Sequence, residues 1–114
     1  MTAEDLPPIT LQATPEFAAR IASVYPSRQT ILFGSRARGT ARDESDTDVA
    51  VVLDGKVGDF VSTKMAMNDI ADDILLSTGI RIQLLPVWES EWAEPEHYSN
   101  LYLLQNIARE GITL

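Results

Sequence analysis

The sequence predicts an α/β (α+β) domain, a small mixed β-sheet flanked by helices, and three observations carry that expectation. Apolar residues recur at helical spacing over residues 14–24, 60–77 and 100–110. Between these segments lie three short runs rich in β-branched and aliphatic residues: QTILF, DVAVVL and IRIQLLPV. Gly or Pro stands near most of the junctions. The order helix, strand, short helix, strand, helix, strand, helix implies a sheet with helices packed against it.

Each element has its own local cause. Residues 1–13 hold Pro7-Pro8 and read as an N-terminal arm, which leaves 14–114 as the domain. Thr14 as N-cap and Pro15 at the first helical position open the first helix. Phe17, Ala18, Ile21 and Val24 share its spacing, and Pro26 stops it. The first strand covers 29–33 and breaks at Gly34. Ser35 can cap a short helix over 35–40, and the polar stretch 41–47 reads as a loop. Residues 48–53 are almost continuously apolar, as in a strand covered on both faces. Asp54-Gly55 is a turn. The helix over 60–77 carries an apolar stripe of Met67, Ile70, Ala71, Ile74 and Leu75, and Gly79 closes it. A third strand is expected over 80–87, ended by Pro86. Trp88 and Trp92, four apart, could share a helix face in the core. The last helix, 100–110, turns Leu101, Leu104, Ile107 and Ala108 inward and stops at Gly111. Residues 112–114 suit a short edge strand.

Composition narrows the function classes. The chain has 114 residues, 45% hydrophobic and 23% charged, within the range of a single globular domain. It has no Cys, so disulfides and thiolate metal sites are excluded. The N-terminus lacks an apolar signal core, and no stretch approaches the ~18 apolar residues of a membrane span. A cytoplasmic location is expected. The net charge of −8 argues against an extensive nucleic-acid surface, which needs clustered cations. Arg36, Arg38 and Arg42 nevertheless fall within seven residues, which suits a small anionic ligand. A homo-oligomer is compatible with the sequence.

The chemistry concentrates in FGSRARGTARDESDTDVAVVL. Gly34 after a strand allows close backbone approach to a ligand, and free N–H groups at a helix start attract phosphate. The Ser35 hydroxyl can donate to a phosphate oxygen. Arg36 and Arg38 carry the forked donors that pair with phosphate, although on a short helix they do not share a face. Asp46 and Asp48, two apart at a strand entry, lie on one face. Two neighbouring carboxylates repel each other and call for a cation. Without His or Cys, the hard oxygens favour Mg²⁺ or Mn²⁺. His97, Asp54, Asp72-Asp73, Met65 and Met67 read as structural or solvated residues.

Gly-Ser, ten residues, then Asp-x-Asp resembles the signature of the DNA polymerase β-type nucleotidyltransferase superfamily. It is most similar to the minimal nucleotidyltransferase (MNT) branch. Gly34, Ser35, Ala37, Arg38, Gly39, Ser45, Asp46, Asp48, Val49 and Val51 carry the likeness, and NLYLLQNIAREGITL is similar to the closing helix of such domains. The resemblance implies a polymerase β palm-like fold. Gly34 and Ser35 would hold the β/γ-phosphates of a nucleoside triphosphate, with ATP the first candidate. Asp46 and Asp48 would be the catalytic, Mg²⁺-coordinating acids. It further implies a HEPN-type helical protein as partner, with the chain as antitoxin of a toxin–antitoxin pair that attaches AMP to a toxin hydroxyl.

The sequence departs from that family at one position. Full catalysts carry a third carboxylate on a neighbouring strand, and Gln83 stands about where it is expected. An amide accepts no proton at neutral pH and binds Mg²⁺ poorly. Glu89 and Glu91 are the candidate substitutes. Two further readings therefore stand beside the enzyme: a nucleotide-binding module that neutralises its partner by binding, and an aminoglycoside adenylyltransferase-like enzyme.

Overall fold

A computed structural model of the chain describes residues 8–34, 37, 47–98 and 100–114. Its elements run α1 (Pro8–Val24), β1 (Ser27–Phe33), β2 (Thr47–Leu53), α2 (Phe60–Thr78), β3 (Ile82–Trp88), α3 (Glu89–Ala93), a 3-10 turn (Pro95–His97), α4 (Leu101–Glu110) and β4 (Ile112–Thr113). Among the described residues the sheet has four strands in the order β3-β2-β1-β4. β1 is antiparallel to β2 and β4, while β2 and β3 run parallel. The sheet is mixed, as the sequence predicts, and β2 lies inside it, as its continuous apolar run requires.

Alternation along β2 divides the core in two. Val49, Val51 and Leu53 face Phe17 and Ile21 of α1 and Met67, Ile70, Ala71 and Ile74 of α2. Ala50 and Val52 face Leu104 and Ile107 of α4. Phe17 is fully buried and is among the largest side chains of the core. Phe17→Ala is expected to cost about 3–5 kcal/mol. That is a large part of the ~5–15 kcal/mol typical of a domain, and a denaturant titration would read it as a lower midpoint.

Several boundaries differ from expectation. The first helix starts at Pro8, so Pro15 lies inside it and Thr14 is not its cap. An internal proline costs ~3 kcal/mol. Burying Phe17 and Ile21 returns roughly 1.5–3 kcal/mol each, so tertiary packing carries the helix through. The helix crosses the division drawn at residue 14, and Ala13 packs in the core. Pro86 is inside β3 rather than at its end; β3 is an edge strand, where a missing N–H is tolerated. Trp88 ends β3 and is buried, while Trp92 sits on α3, so the two share no helix face. Ala108 and Met65 are exposed, and Leu75 is half-buried.

Other local expectations hold. Gly79 takes φ +78° and its N–H bonds the Leu75 carbonyl at 2.8 Å, closing α2. Asp59 caps the other end, accepting from the Ser62 N–H at 2.9 Å. β4 pairs with β1 through Thr113–Ile31 and Ile112–Leu32, the edge strand foreseen for 112–114. No described helix is long and apolar enough to cross a membrane.

Candidate active site

The site is built where β1 ends and β2 begins. The strand registers set Phe33 opposite Asp48 and Asp48 opposite Gln83. An aromatic, an acid and an amide thus form one row across three strands. By alternation this row belongs to the face that carries Ala50, Val52, Leu85 and Val87. Further along the strands that face is covered by Leu104 and Ile107. At the row itself the cover thins: Phe33 and Asp48 are half-buried and Gln83 is exposed. The Thr47 N–H donates to the Arg81 carbonyl at 2.9 Å, fixing the start of β2 to the start of β3.

Gly34 lies against the acid. Its φ is +76°, a region L-side chains rarely adopt. A β-carbon built there would collide with the Asp48 carboxylate oxygen and lie 3.2 Å from its Cγ. Glycine is therefore needed twice, for the turn and for the close approach of backbone to carboxylate. The two ends of the sequence motif that can be observed, Gly34 and Asp48, are in direct proximity.

Of the other residues singled out in the sequence, Ser35, Arg36, Arg38 and Asp46 lie outside the described residues, as does most of the helix expected over 35–40. Ala37, within that stretch, is helical and buried in the α1/α2 core. The described residues hold no group of three or more acids or histidines that would bind a metal unaided. What they supply is one candidate hard-oxygen donor, Asp48, beside a backbone kept free of side-chain bulk. That donor chemistry fits Mg²⁺ shared with a polyphosphate better than a closed protein cage.

The candidate replacements for the third acid are committed elsewhere. Glu89 pairs with Arg28 at 3.0 Å and accepts from the Gly55 N–H at 3.3 Å. Glu91 accepts from the Trp88 N–H at 3.1 Å. Both follow β3, whose last residue pairs with Leu53, five positions along β2 from Asp48. At ~3.3 Å per residue they are roughly 17 Å from the row. Neither stands in for the missing carboxylate, and Gln83 occupies the register position directly beside Asp48.

Near that far end, burial first and the Glu91 carboxylate second hold the Tyr98 phenol above its usual value. Folding thus favours neutral Tyr98, and the associated stability is full below pH ~10 and falls as pH rises through the raised value. A Tyr98→Phe variant should lose less stability than wild type between neutral pH and pH 11, measured by chemical denaturation.

The family model described as "Polymerase beta, Nucleotidyltransferase" matches residues 20–114. The chain belongs to the polymerase β nucleotidyltransferase family. Among solved structures it is similar to a "putative nucleotidyltransferase" from Sulfolobus solfataricus, with a TM-score of 0.55 and 27% sequence identity, covering 72% of this chain and 69% of that one. No curated protein matches the sequence.

Proposed function

We propose that the chain transfers a nucleoside monophosphate, with AMP from ATP the first candidate, to a hydroxyl of a partner protein. The observation that carries the proposal is the apposition of Gly34 and Asp48 across the β1–β2 pair, in a chain of this family. Gly34 leaves room for the phosphates, and Ser35, Arg36 and Arg38 are the candidates to bind them. Asp48, with Asp46, is proposed to hold Mg²⁺, which when bound would offset the charge on the triphosphate. The acceptor hydroxyl attacks the α-phosphorus, its oxygen forms the new P–O bond, the α–β bridge breaks, and pyrophosphate leaves. The hydroxyl proton passes to water, because Gln83 cannot take it.

The resemblance to minimal nucleotidyltransferases supports a HEPN-type helical partner, an antitoxin role and a cytoplasmic setting. The direct test incubates the protein with ATP labelled on the α-phosphate, Mg²⁺ and that partner. Label on the partner together with released pyrophosphate is expected. Nucleotide binding with no label and no pyrophosphate would replace this reading with the second one, a module that acts by binding. The exposed amide at the third-acid position favours that alternative.

The same position offers a gain-of-function test. Gln83→Glu sets a carboxylate one strand spacing from Asp48, where it can accept the hydroxyl proton. General-base assistance is worth on the order of 10²–10⁴-fold, so a rise of at least about tenfold in transfer rate is expected, with a new acidic limb in the pH–rate profile. An unchanged rate would show that proton removal does not limit this enzyme.

A further inference from the structure

α2 buries one face and leaves another uncovered. Met67, Ile70, Ala71 and Ile74 pack into the core against the sheet. On the side turned away from them, Val61, Met65, Asp72 and Leu76 fall within a ~60° arc at 3.6 residues per turn. Val61 is 63% exposed, Met65 66% and Leu76 85%. Val57 and Phe60, also exposed, carry the apolar character past the helix start. From Val61 to Leu76 the stripe is roughly 23 Å long at 1.5 Å per residue. Exposed apolar side chains that line up in this way, rimmed by charge, mark an interaction surface.

The charge on α2 is polarised along the same line. Lys64 stands in its first half, and Asp69, Asp72 and Asp73 stand in its second. Asp73 pairs with Arg20 of α1 at 2.8 Å. Lys64 and Asp72 are eight residues and therefore ~12 Å apart, too far to pair within one helix. A rim of acids alone would ask for a basic partner. A rim that is positive at one end and negative at the other matches its own reverse. If a second copy is turned end for end, with the two-fold axis level with the Asn68–Asp69 peptide, Val61 comes opposite Leu76 of the second copy. Met65 fills the space nearer the axis, and Lys64 comes within reach of Asp72 of the second copy. Symmetry makes each of these contacts twice. Asp69 lies beside the axis and meets its own copy, a like-charge contact in this register.

We propose that this face is the interface of a two-fold dimer in which α2 packs antiparallel against α2 of a second copy. A shallow crossing of about 20° keeps the two stripes in contact along their length. The Asp48 row belongs to the other face of the sheet, so both candidate sites stay open. The dimer does not depend on the nucleotidyl-transfer reading.

The test is sedimentation equilibrium of the whole chain over a range of concentrations. The average mass should rise from 12.6 kDa toward twice that value. Lys64→Asp and Asp72→Lys should each weaken dimerisation by at least about tenfold, since each turns two attractions into two repulsions. The double variant rebuilds both pairs across the axis and should return to within about threefold of the unmodified chain. Asp69→Asn should tighten the dimer, and Leu76→Glu should weaken it. All four positions are at the surface of α2, and circular dichroism checks that the variants fold. A monomer at every concentration, a dimer indifferent to the single reversals, or a double variant no stronger than either single one would overturn the proposal.

Discussion

Asp48→Asn is expected to lower nucleotidyl transfer by about 10³-fold or more while leaving the fold intact. The substitution is isosteric, and Asp48 is only half-buried at the mouth of β2, so the sheet has little reason to rearrange. What it removes is the negative charge proposed to hold the metal ion against the triphosphate. Metal assistance is worth several kcal/mol, and about 4 kcal/mol corresponds to 10³ at roughly 1.36 kcal/mol per tenfold. Gln83 beside it carries no charge to compensate. Transfer assays alongside thermal unfolding separate the two effects. A variant as stable as wild type with full activity would remove Asp48 from the mechanism.

Gly34→Ala is expected to damage stability and activity together. At φ +76° the added methyl strains the backbone by about 1–3 kcal/mol. It also meets the Asp48 carboxylate, so either the turn or the acid must move. A displacement near 1 Å at a reacting centre costs on the order of 100-fold in rate. Gly55→Ala is the control, since Gly55 has φ +86° but nothing within 4 Å of its added carbon. It should show the backbone strain without the catalytic loss. Equal activity in the two variants would mean that the Gly34–Asp48 contact is irrelevant to catalysis.

Where the chain signals its structure locally, the sequence is a good guide. The unbroken apolar run VAVVL marks an interior strand, and the register shows β2 paired on both sides. Gly79 and Gly111 end helices as their positions suggest. Pro26 follows the end of α1 as expected, but two other proline signals mislead, because their meaning depends on packing that lies far off in sequence. Pro15 reads as a helix start but sits within α1, and Pro86 reads as a strand end but sits within β3.

The candidate site was legible in part. Gly34 and Asp48 are fourteen residues apart in a motif whose parts the sequence places on one ligand, and β1–β2 pairing brings them together. Gln83 is a substitution that sequence can flag, but only the parallel β2–β3 register shows that it adjoins Asp48.

Nucleotide and metal are proposed to meet at the Gly34 turn and the Asp48 carboxylate. Replacing Mg²⁺ with Mn²⁺ in the ATP complex and mapping paramagnetic line broadening tests this most directly. Broadening should be greatest at Gly34, Asp48 and Gln83, weakest around Trp88 and Glu89 at the other end of the strands, and lost in Asp48→Asn. Broadening centred elsewhere, or unchanged by that substitution, would contradict the account.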